Sequence, residues 1–194
     1  MRLRAFTLAA VLLPLSLSAQ DASRASATQG STVVVRTFLS FGRPYGGWLL
    51  MAFDSIPAAR YGFRPTPVQQ SVGYIAQHLE GANYELCSLF GAAQHVMTAK
   101  DSLADTVKAL WPKDTLIARV RASLVFCAAS IGQLSDASLA DTLTDETSGG
   151  PVTVRRMRYP LLLVTDLAEH YSQISNYMRL LGLVPPSALP PAKR

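Results

Sequence analysis

Apolar side chains recur at helical spacing in four stretches of this 194-residue chain. Projected at about 100° per residue, the second stretch gathers Val72, Ile75, Leu79, Leu86 and Phe90 on one face, and polar residues occupy most of the other. Such a stripe is typical of a helix that buries one side against other helices. The pattern therefore predicts an all-α fold in which four principal helices pack as a bundle. These helices are predicted over residues 33–56, 71–97, 114–134 and 159–183.

Prolines, glycines and capping residues refine the ends of these helices. Three glycines and Pro44 lie inside the first predicted helix, which favours a bend or a late start there. Ser71 is predicted to cap the second helix, because its side chain can accept a hydrogen bond from the first turn. Between the third and fourth helices, residues 139–158 are rich in Thr, Asp, Ser and Gly, which predicts a long loop or a short hairpin.

The first residues have the composition of a secretory signal peptide. Arg2 and Arg4 precede an apolar run over residues 5–17, and small residues follow it. The alternative, an uncleaved anchor, is disfavoured because the run is shorter than the roughly 20 residues that span a bilayer and contains Pro14. We therefore expect cleavage at residues 18–20 and a protein that is periplasmic or extracellular.

Composition also divides the rest of the chain. The only cysteines lie far from the predicted cleavage point, so no lipid anchor is expected, and no later apolar run is predicted to span a membrane. The chain is then predicted to hold one domain between two tails. Its parts are a signal peptide (1–20), a disordered mature N-terminus (21–32), the helical domain (33–187) and a Pro-rich tail (188–194).

The net charge is too small to predict a nucleic-acid partner. The whole chain carries 18 basic and 13 acidic side chains, a formal charge of +5. Loss of Arg2 and Arg4 with the leader lowers it to +3. The one basic cluster, at residues 155–158, adjoins a predicted turn and is typical of a solvated surface.

The two cysteines, Cys87 and Cys127, both fall near the middle of predicted helices. An oxidising compartment favours a disulfide between them. Two buried free thiols are the competing interpretation, because Cys packs well as a small hydrophobe.

A row of polar residues borders the apolar stripe of the fourth predicted helix. Asp166, His170, Gln173 and Tyr177 follow one another at spacings of four, three and four residues, so they lie above one another on one helix face. His78 occupies the corresponding border of the second helix. The row is the strongest candidate for chemistry in the chain.

His78, Asp166 and His170 form a candidate metal site. Asp166 and His170 are one helical turn apart, so both can reach one ion. Two imidazoles and one carboxylate leave a position open for water, as in catalytic zinc sites, where the ion lowers the pKa of that water to about 7. Nickel, iron and manganese accept similar ligands. The alternative is a surface pair that only stabilises the helix.

Other residues offer accessory chemistry. Glu85 lies two turns below His78 and is a candidate extra ligand or base, with an ion pair as the simpler alternative. Gln173 and Tyr177 are accessory candidates through their place in the polar row. The sequence contains no Gly-rich phosphate loop, nucleophile elbow, Cys-x-x-Cys pair or His-Glu-x-x-His motif.

Several short motifs resemble the DinB superfamily. Residues 61–67 read Tyr-Gly-Phe-Arg-Pro-Thr-Pro and are followed by Gln-His-Leu at 77–79 and Ala-Asn-Tyr at 82–84. Near the end, His-Tyr-Ser-Gln-Ile at 170–174 precedes the Gly-Leu-Val-Pro-Pro exit at 182–186. The order and spacing of these motifs carry the resemblance, which covers roughly residues 34–187.

The resemblance implies a four-helix bundle with up-down-down-up connectivity and a divalent ion held by three histidines. His78 and His170 match two of those positions, and Asp166 stands at the third. Parallel second and third helices would put Cys87 and Cys127 about 16 and 13 residues from their helix starts, or roughly 4.5 Å apart in height. That difference permits a disulfide.

Two functional hypotheses follow. The first is an exported, divalent-metal-dependent enzyme of the DinB type, hydrolase-like or transferase-like, acting on a small molecule. Low-molecular-weight thiols, which some members of the family use, are cytosolic, and export argues against them. The second is a non-catalytic bundle with a degenerate site that binds a small molecule or an envelope partner, or pairs as a homodimer through an apolar helix face.

Overall fold

The computed structural model describes residues 32–91 and 93–190. The predicted signal peptide, its cleavage point and nearly all of the predicted disordered segment lie outside these residues. The described chain is mostly helical and has one small two-stranded sheet. Its elements are α1 (Val33–Ser55), α2 (Val72–Phe90), the single turn α3 (Asp105–Lys108), α4 (Lys113–Gly132), β1 (Thr142–Thr147), β2 (Gly150–Arg155) and α5 (Arg158–Leu180).

The four long helices α1, α2, α4 and α5 begin close to the predicted positions. Ser71 caps α2 as predicted, since its hydroxyl accepts a hydrogen bond from the backbone N–H of Tyr74 at 3.2 Å. Pro44 lies inside α1, and the helix nevertheless begins at its first predicted residue. The proline and the glycines around it therefore do not delay the start of the helix.

The predicted end of the second helix is wrong. The sequence predicted helix as far as residue 97, whereas α2 ends at Phe90. Gly91 follows in an extended conformation, and its backbone approaches α4 so closely that a Cβ there would lie 2.7 Å from the Cβ of Ser130. The glycine both stops the helix and allows the chain to cross α4, after which residues 93–104 return along α2 without regular structure.

Contacts between α2 and α4 show that these helices run parallel. The Asn83 amide donates a hydrogen bond to the Ser123 hydroxyl at 2.9 Å. Further along both helices, Cys87 and Cys127 form a disulfide with a Cα–Cα distance of 5.2 Å. The predicted bridge is confirmed, and both cysteines are buried.

The remaining contacts set the directions of α1 and α5. The Tyr177 hydroxyl, near the end of α5, donates to the carbonyl of Gln70 just before α2, so α5 runs antiparallel to α2. Lys113, at the start of α4, donates through Nζ to the Asp54 carbonyl near the end of α1, so these two helices are also antiparallel. Together the four helices enclose one apolar core. Its largest fully buried side chains include Tyr159, Tyr177, Phe53, Phe90, Leu49 and Ile75.

The connection between α4 and α5 contains the predicted hairpin. β1 and β2 pair antiparallel, with Thr142 opposite Arg155 and Thr147 opposite Gly150. Gly150 has a positive φ of 102°, which only glycine adopts readily at this turn. The hairpin extends one side of the helical body next to α2.

One described helix, α4, is long and apolar enough to cross a membrane, by length and composition alone. A core helix of this length passes the same test. α4 contributes Leu116, Val120 and Ile131 to the core and is bonded covalently to α2 through Cys127. Its apolar character is accounted for by this packing.

Candidate metal centre

His78, Asp166 and His170 come together where α2 faces α5. One nitrogen or oxygen atom from each lies within 4.8 Å of the other two. His170 Nε2 is 3.4 Å from Asp166 Oδ1, and His78 Nε2 is 4.0 Å from the same oxygen. The three residues that the sequence singled out as candidate ligands thus form one cluster in the structure.

The cluster is partly shielded from solvent. The side chain of His170 is 9% exposed, that of Asp166 is 23% exposed and that of His78 is 38% exposed. The ring centroids of His78 and His170 are 4.9 Å apart in an edge-to-face arrangement. One side of the cluster is therefore packed into the protein, and the side formed by His78 is open.

A chain of hydrogen bonds fixes the orientation of His170. The carbonyl of Gln70 can only accept, so the Tyr177 hydroxyl donates to it at 3.0 Å and accepts from Gln173 Nε2 at 3.0 Å. Gln173 Oε1 is then turned towards His170 Nδ1, 3.2 Å away, and accepts the proton on that nitrogen. The neutral ring consequently presents the lone pair of Nε2 to Asp166 and His78.

Protonation competes for the same nitrogen. Burial lowers the pKa of His170, but the hydrogen bond to Asp166, the charge of Asp166 and the hydrogen bond to Gln173 outweigh burial, and the pKa is raised. The imidazolium form is satisfied on both ring nitrogens. A cation at Nε2, whether a proton or a metal ion, is thus favoured by the surrounding groups.

The donor set fits a divalent ion. Four-coordinate zinc has bonds of about 2.0 to 2.2 Å, which place neighbouring ligand atoms roughly 3.3 to 3.6 Å apart. The distance of 3.4 Å between His170 Nε2 and Asp166 Oδ1 already matches this spacing. The distance of 4.0 Å between His78 Nε2 and Asp166 Oδ1 exceeds it by a few tenths of an ångström. Asp166 Oδ2 is buried and has no hydrogen-bond partner within residues 32–91 and 93–190, so one ligand atom is left for such an ion to satisfy.

His78 also borders a cleft with a volume of about 740 Å³. Residues of 94–108 form one side of the cleft, β1 forms the other, and α2 lies between them. Glu85, predicted as an accessory group, lines this cleft but is not part of the cluster. Gln173 and Tyr177, the other two accessory candidates, act on His170 through the hydrogen-bond chain.

His95 lies in the same cleft. Its ring is stacked on Tyr84 with centroids 3.6 Å apart, and its Nε2 lies 3.5 Å from Asp101 Oδ2. The early end of α2 makes these contacts possible, because it lets the following segment fold back over Tyr84.

A buried ion-pair network behind the cleft was missed by sequence reasoning. The Arg119 guanidinium on α4 binds Glu80 on α2 at 2.5 Å and also binds Asp101. Burial raises the pKa of Asp101, but hydrogen bonds from Thr98 and Arg119 lower it well below its usual value. The guanidinium also lies 4.8 Å from the ring centroid of Trp111. These contacts hold residues 93–104 against α2 and so shape the cleft.

Comparison with solved structures now identifies the fold. A DinB-like protein from Bacillus cereus matches with a TM-score of 0.57 at 16% identity, covering 77% of this chain and 93% of that one. The chain has a DinB-like fold. A conserved protein from Enterococcus faecalis matches with a TM-score of 0.56 at 16% identity, covering 76% of this chain and 96% of the other. The resemblance inferred from the motifs is confirmed at the level of the fold.

Another DinB-like neighbour is an enzyme. A mycothiol-dependent maleylpyruvate isomerase matches with a TM-score of 0.56 at 12% identity over 72% of this chain. The alignment spans 59% of that enzyme. No protein-family model and no curated protein sequence matches the chain.

Proposed function

We propose that this chain is a divalent-metal-dependent enzyme of the DinB type, hydrolase-like or transferase-like, with His78, Asp166 and His170 as metal ligands. The observation that carries the proposal is the convergence of these three donors from two helices within 4.8 Å. The buried, unpartnered oxygen of Asp166 supports it. Zinc, nickel, iron and manganese are all compatible with two imidazoles and one carboxylate.

The proposal includes the up-down-down-up four-helix bundle that the resemblance implies. The hydrogen bonds and the disulfide between helices support this connectivity. α2 and α4 run parallel to each other, α5 runs antiparallel to α2, and α1 runs antiparallel to α4. In this arrangement the cluster is built from α2 and α5, and its α2 member, His78, borders the cleft.

The residues around the cluster would have distinct tasks. A bound divalent ion supplies Lewis-acid chemistry to a substrate or a water molecule. Gln173 and Tyr177 keep the proton of His170 on Nδ1, so that Nε2 stays available as a ligand. Asp166 contributes the negative charge that offsets the ion. His78, the most exposed of the three ligands, faces the cleft and marks the side from which a small substrate would enter.

Export is part of the proposal. The signal-peptide composition of the first 20 residues predicts it, and the Cys87–Cys127 disulfide supports it, because such bonds persist in oxidising compartments. A periplasmic or extracellular location would separate this chain from cytosolic thiols such as the mycothiol named for one structural neighbour. A substrate that needs no thiol cofactor is therefore favoured.

The purified protein is expected to bind about one divalent ion per chain. His170→Ala should weaken zinc or nickel binding at least 100-fold, because it removes the most buried and best-oriented ligand. Isothermal titration of the metal-stripped protein measures the affinity, and elemental analysis measures the metal content. His95→Gln is the matched control, since His95 lines the cleft outside the cluster and its loss should leave metal affinity unchanged. Wild-type protein without a first-row metal, and without a change of melting temperature on adding zinc or nickel, would reject the proposal.

Tyr177→Phe tests the orienting role of the hydrogen-bond chain. The variant loses the hydroxyl that donates to the Gln70 carbonyl and accepts from Gln173 Nε2. Gln173 is then free to reverse its amide and no longer holds the proton on His170 Nδ1. We expect metal affinity to fall about 10-fold to 100-fold, as for other groups that orient a ligand. Tyr171→Phe removes a hydroxyl from the same helix that is not part of these hydrogen bonds, and it should leave the metal affinity unchanged. Equal affinities for the two variants would show that the ligand set needs no such orientation.

A non-catalytic bundle with a degenerate site is the second candidate. The observation in its favour is that His170 and Asp166 also form an ion pair when His170 is protonated, with no metal ion needed. On this alternative the chain binds a small molecule or a second copy of itself. It predicts that His78→Ala and His170→Ala bind no less metal than the wild type. Light scattering measures self-association independently.

A further inference from the structure

A second cavity lies on a different side of the helical body. It is a groove of about 280 Å³ between α1 and α4 that reaches α5. The lining consists of apolar side chains and glycines, with two arginines as the only charged members. Apolar contributors from all three helices include Phe38, Leu39, Leu50, Leu124, Ile131 and Leu167. The groove shares no residue with the metal cluster.

Three glycines on α1 create the space. Gly42, Gly46 and Gly47 lie on the side of the helix that lines the groove. A Cβ on Gly46 would lie 3.1 Å from Leu124, whereas a Cβ on Gly47 would meet nothing within 4 Å. Larger residues at these positions would have a higher helix propensity than glycine, and their side chains would fill the groove. The chain instead keeps the groove open at a cost in helix propensity.

The charges along the groove have one sign. Arg43 on α1 and Arg121 on α4 line it and are exposed, and the guanidinium group of neither forms an ion pair or hydrogen bond within residues 32–91 and 93–190. No acidic residue occurs between positions 33 and 53 or between 115 and 132. Two unpaired guanidinium groups beside apolar surface favour an anion attached to an apolar body.

The positions of the arginines indicate the shape of the ligand. Gly46 faces Leu124, and α1 and α4 are antiparallel. Arg43 and Arg121 each precede that crossing by three residues, so their backbones lie in opposite directions from it, about 9 Å apart along the groove at 1.5 Å per residue. An elongated molecule along the apolar surface would therefore have a guanidinium near either end.

We infer that this groove binds an anionic amphiphile, namely a carboxylate attached to an alkyl chain of medium length. The apolar lining takes the chain, and Arg43 or Arg121 binds the carboxylate. A neutral or cationic head group of the same chain length lacks this charge-assisted contact.

Calorimetric titration of the purified protein with decanoate, below its micelle concentration, tests the inference. Octanoate should bind more than tenfold more weakly, because each buried methylene contributes about fourfold in affinity. Decanol should bind to the wild type at least tenfold more weakly than decanoate does. Decanoate should bind to the Arg43→Gln, Arg121→Gln double variant at least tenfold more weakly than to the wild type. Gly47→Leu should abolish binding without lowering the melting temperature, since the new side chain enters open space.

Gly81→Leu is the matched control. Gly81 is an exposed glycine of α2 whose Cβ would also meet nothing within 4 Å, and it lies outside the groove. This variant should bind decanoate like the wild type. The inference is overturned if the wild type does not bind decanoate, if decanol binds equally well, or if Gly47→Leu retains binding. It is also overturned if the wild type is a dimer that Gly47→Leu converts to a monomer, because a second copy would then occupy the groove.

Discussion

Arg119→Met is expected to lower the free energy of unfolding by about 3 to 5 kcal/mol, the usual cost of breaking a buried ion pair from one side. Arg119 is the common partner of Glu80 and Asp101, whose side chains are only 6% and 9% exposed. Without the guanidinium, two carboxylates remain close together and away from water. Methionine retains much of the apolar length of the side chain, so the loss reports the charge. Urea unfolding followed by circular dichroism measures it.

Two comparisons make this prediction specific. Arg121→Met changes an exposed arginine on the same helix that has no ion-pair partner among the described residues, and should shift stability by no more than about 0.5 kcal/mol. Adding Glu80→Gln to Arg119→Met should restore part of the loss, because one uncompensated charge is removed. A loss below about 1 kcal/mol for Arg119→Met would show that water reaches these carboxylates readily.

The effect of Arg119→Met should also depend on pH. The pKa of Asp101 is lowered in the folded protein, so its ionised form is stabilised by folding. That contribution to stability is fully present above the pKa of Asp in the unfolded chain, about 3.9. It is lost as the pH falls towards the lower pKa that Asp101 has in the folded protein. The stability difference between wild type and variant should therefore be complete at pH 7 and shrink below about pH 4.

Local patterns predicted much of the fold and the three-residue cluster. The polar row on α5 is visible because Asp166, His170 and Tyr177 repeat at helical spacing, and His78 interrupts the border of an apolar stripe. Such periodic signals depend only on the geometry of a single helix. The directional hydrogen bonds from Gln70 to His170 then complete an arrangement that the spacing had already indicated.

Residues that depend on contacts between distant segments could not be predicted in this way. Glu80 lies beside the apolar stripe of α2, and nothing local distinguishes it from a solvated carboxylate until Arg119, 39 residues later, is brought next to it. The end of α2 was misplaced for the same reason. Gly91 follows the last helical residue, and Ser130 on α4 leaves no room there for a larger residue; a tertiary contact of this kind leaves no periodic signal.

Removal of the disulfide is the other change with a large expected effect. The Cys87→Ala, Cys127→Ala double variant should lose about 4 kcal/mol, from the loop-closure entropy of a 40-residue separation. Both sulfur atoms are buried, so the small cavities left by alanine add to the loss. Urea unfolding of the oxidised wild type and of the double variant measures the difference.

Reduction provides the control for that measurement. Dithiothreitol added during unfolding should lower the stability of the wild type by a similar amount and leave the double variant unchanged. If reduction has no effect on the wild type, the bridge contributes nothing to stability.

The segment closed by the bridge gives this loss a functional meaning. It contains residues 93–104, which form one side of the cleft, together with Arg119, which holds them against α2. Against a typical total stability of about 5 to 15 kcal/mol, a loss of about 4 kcal/mol would remove between about a quarter and four fifths of the stability. The cleft beside His78 would then be most stable where the disulfide persists. An oxidising compartment, which the first 20 residues predict, is consequently the setting in which this site would work.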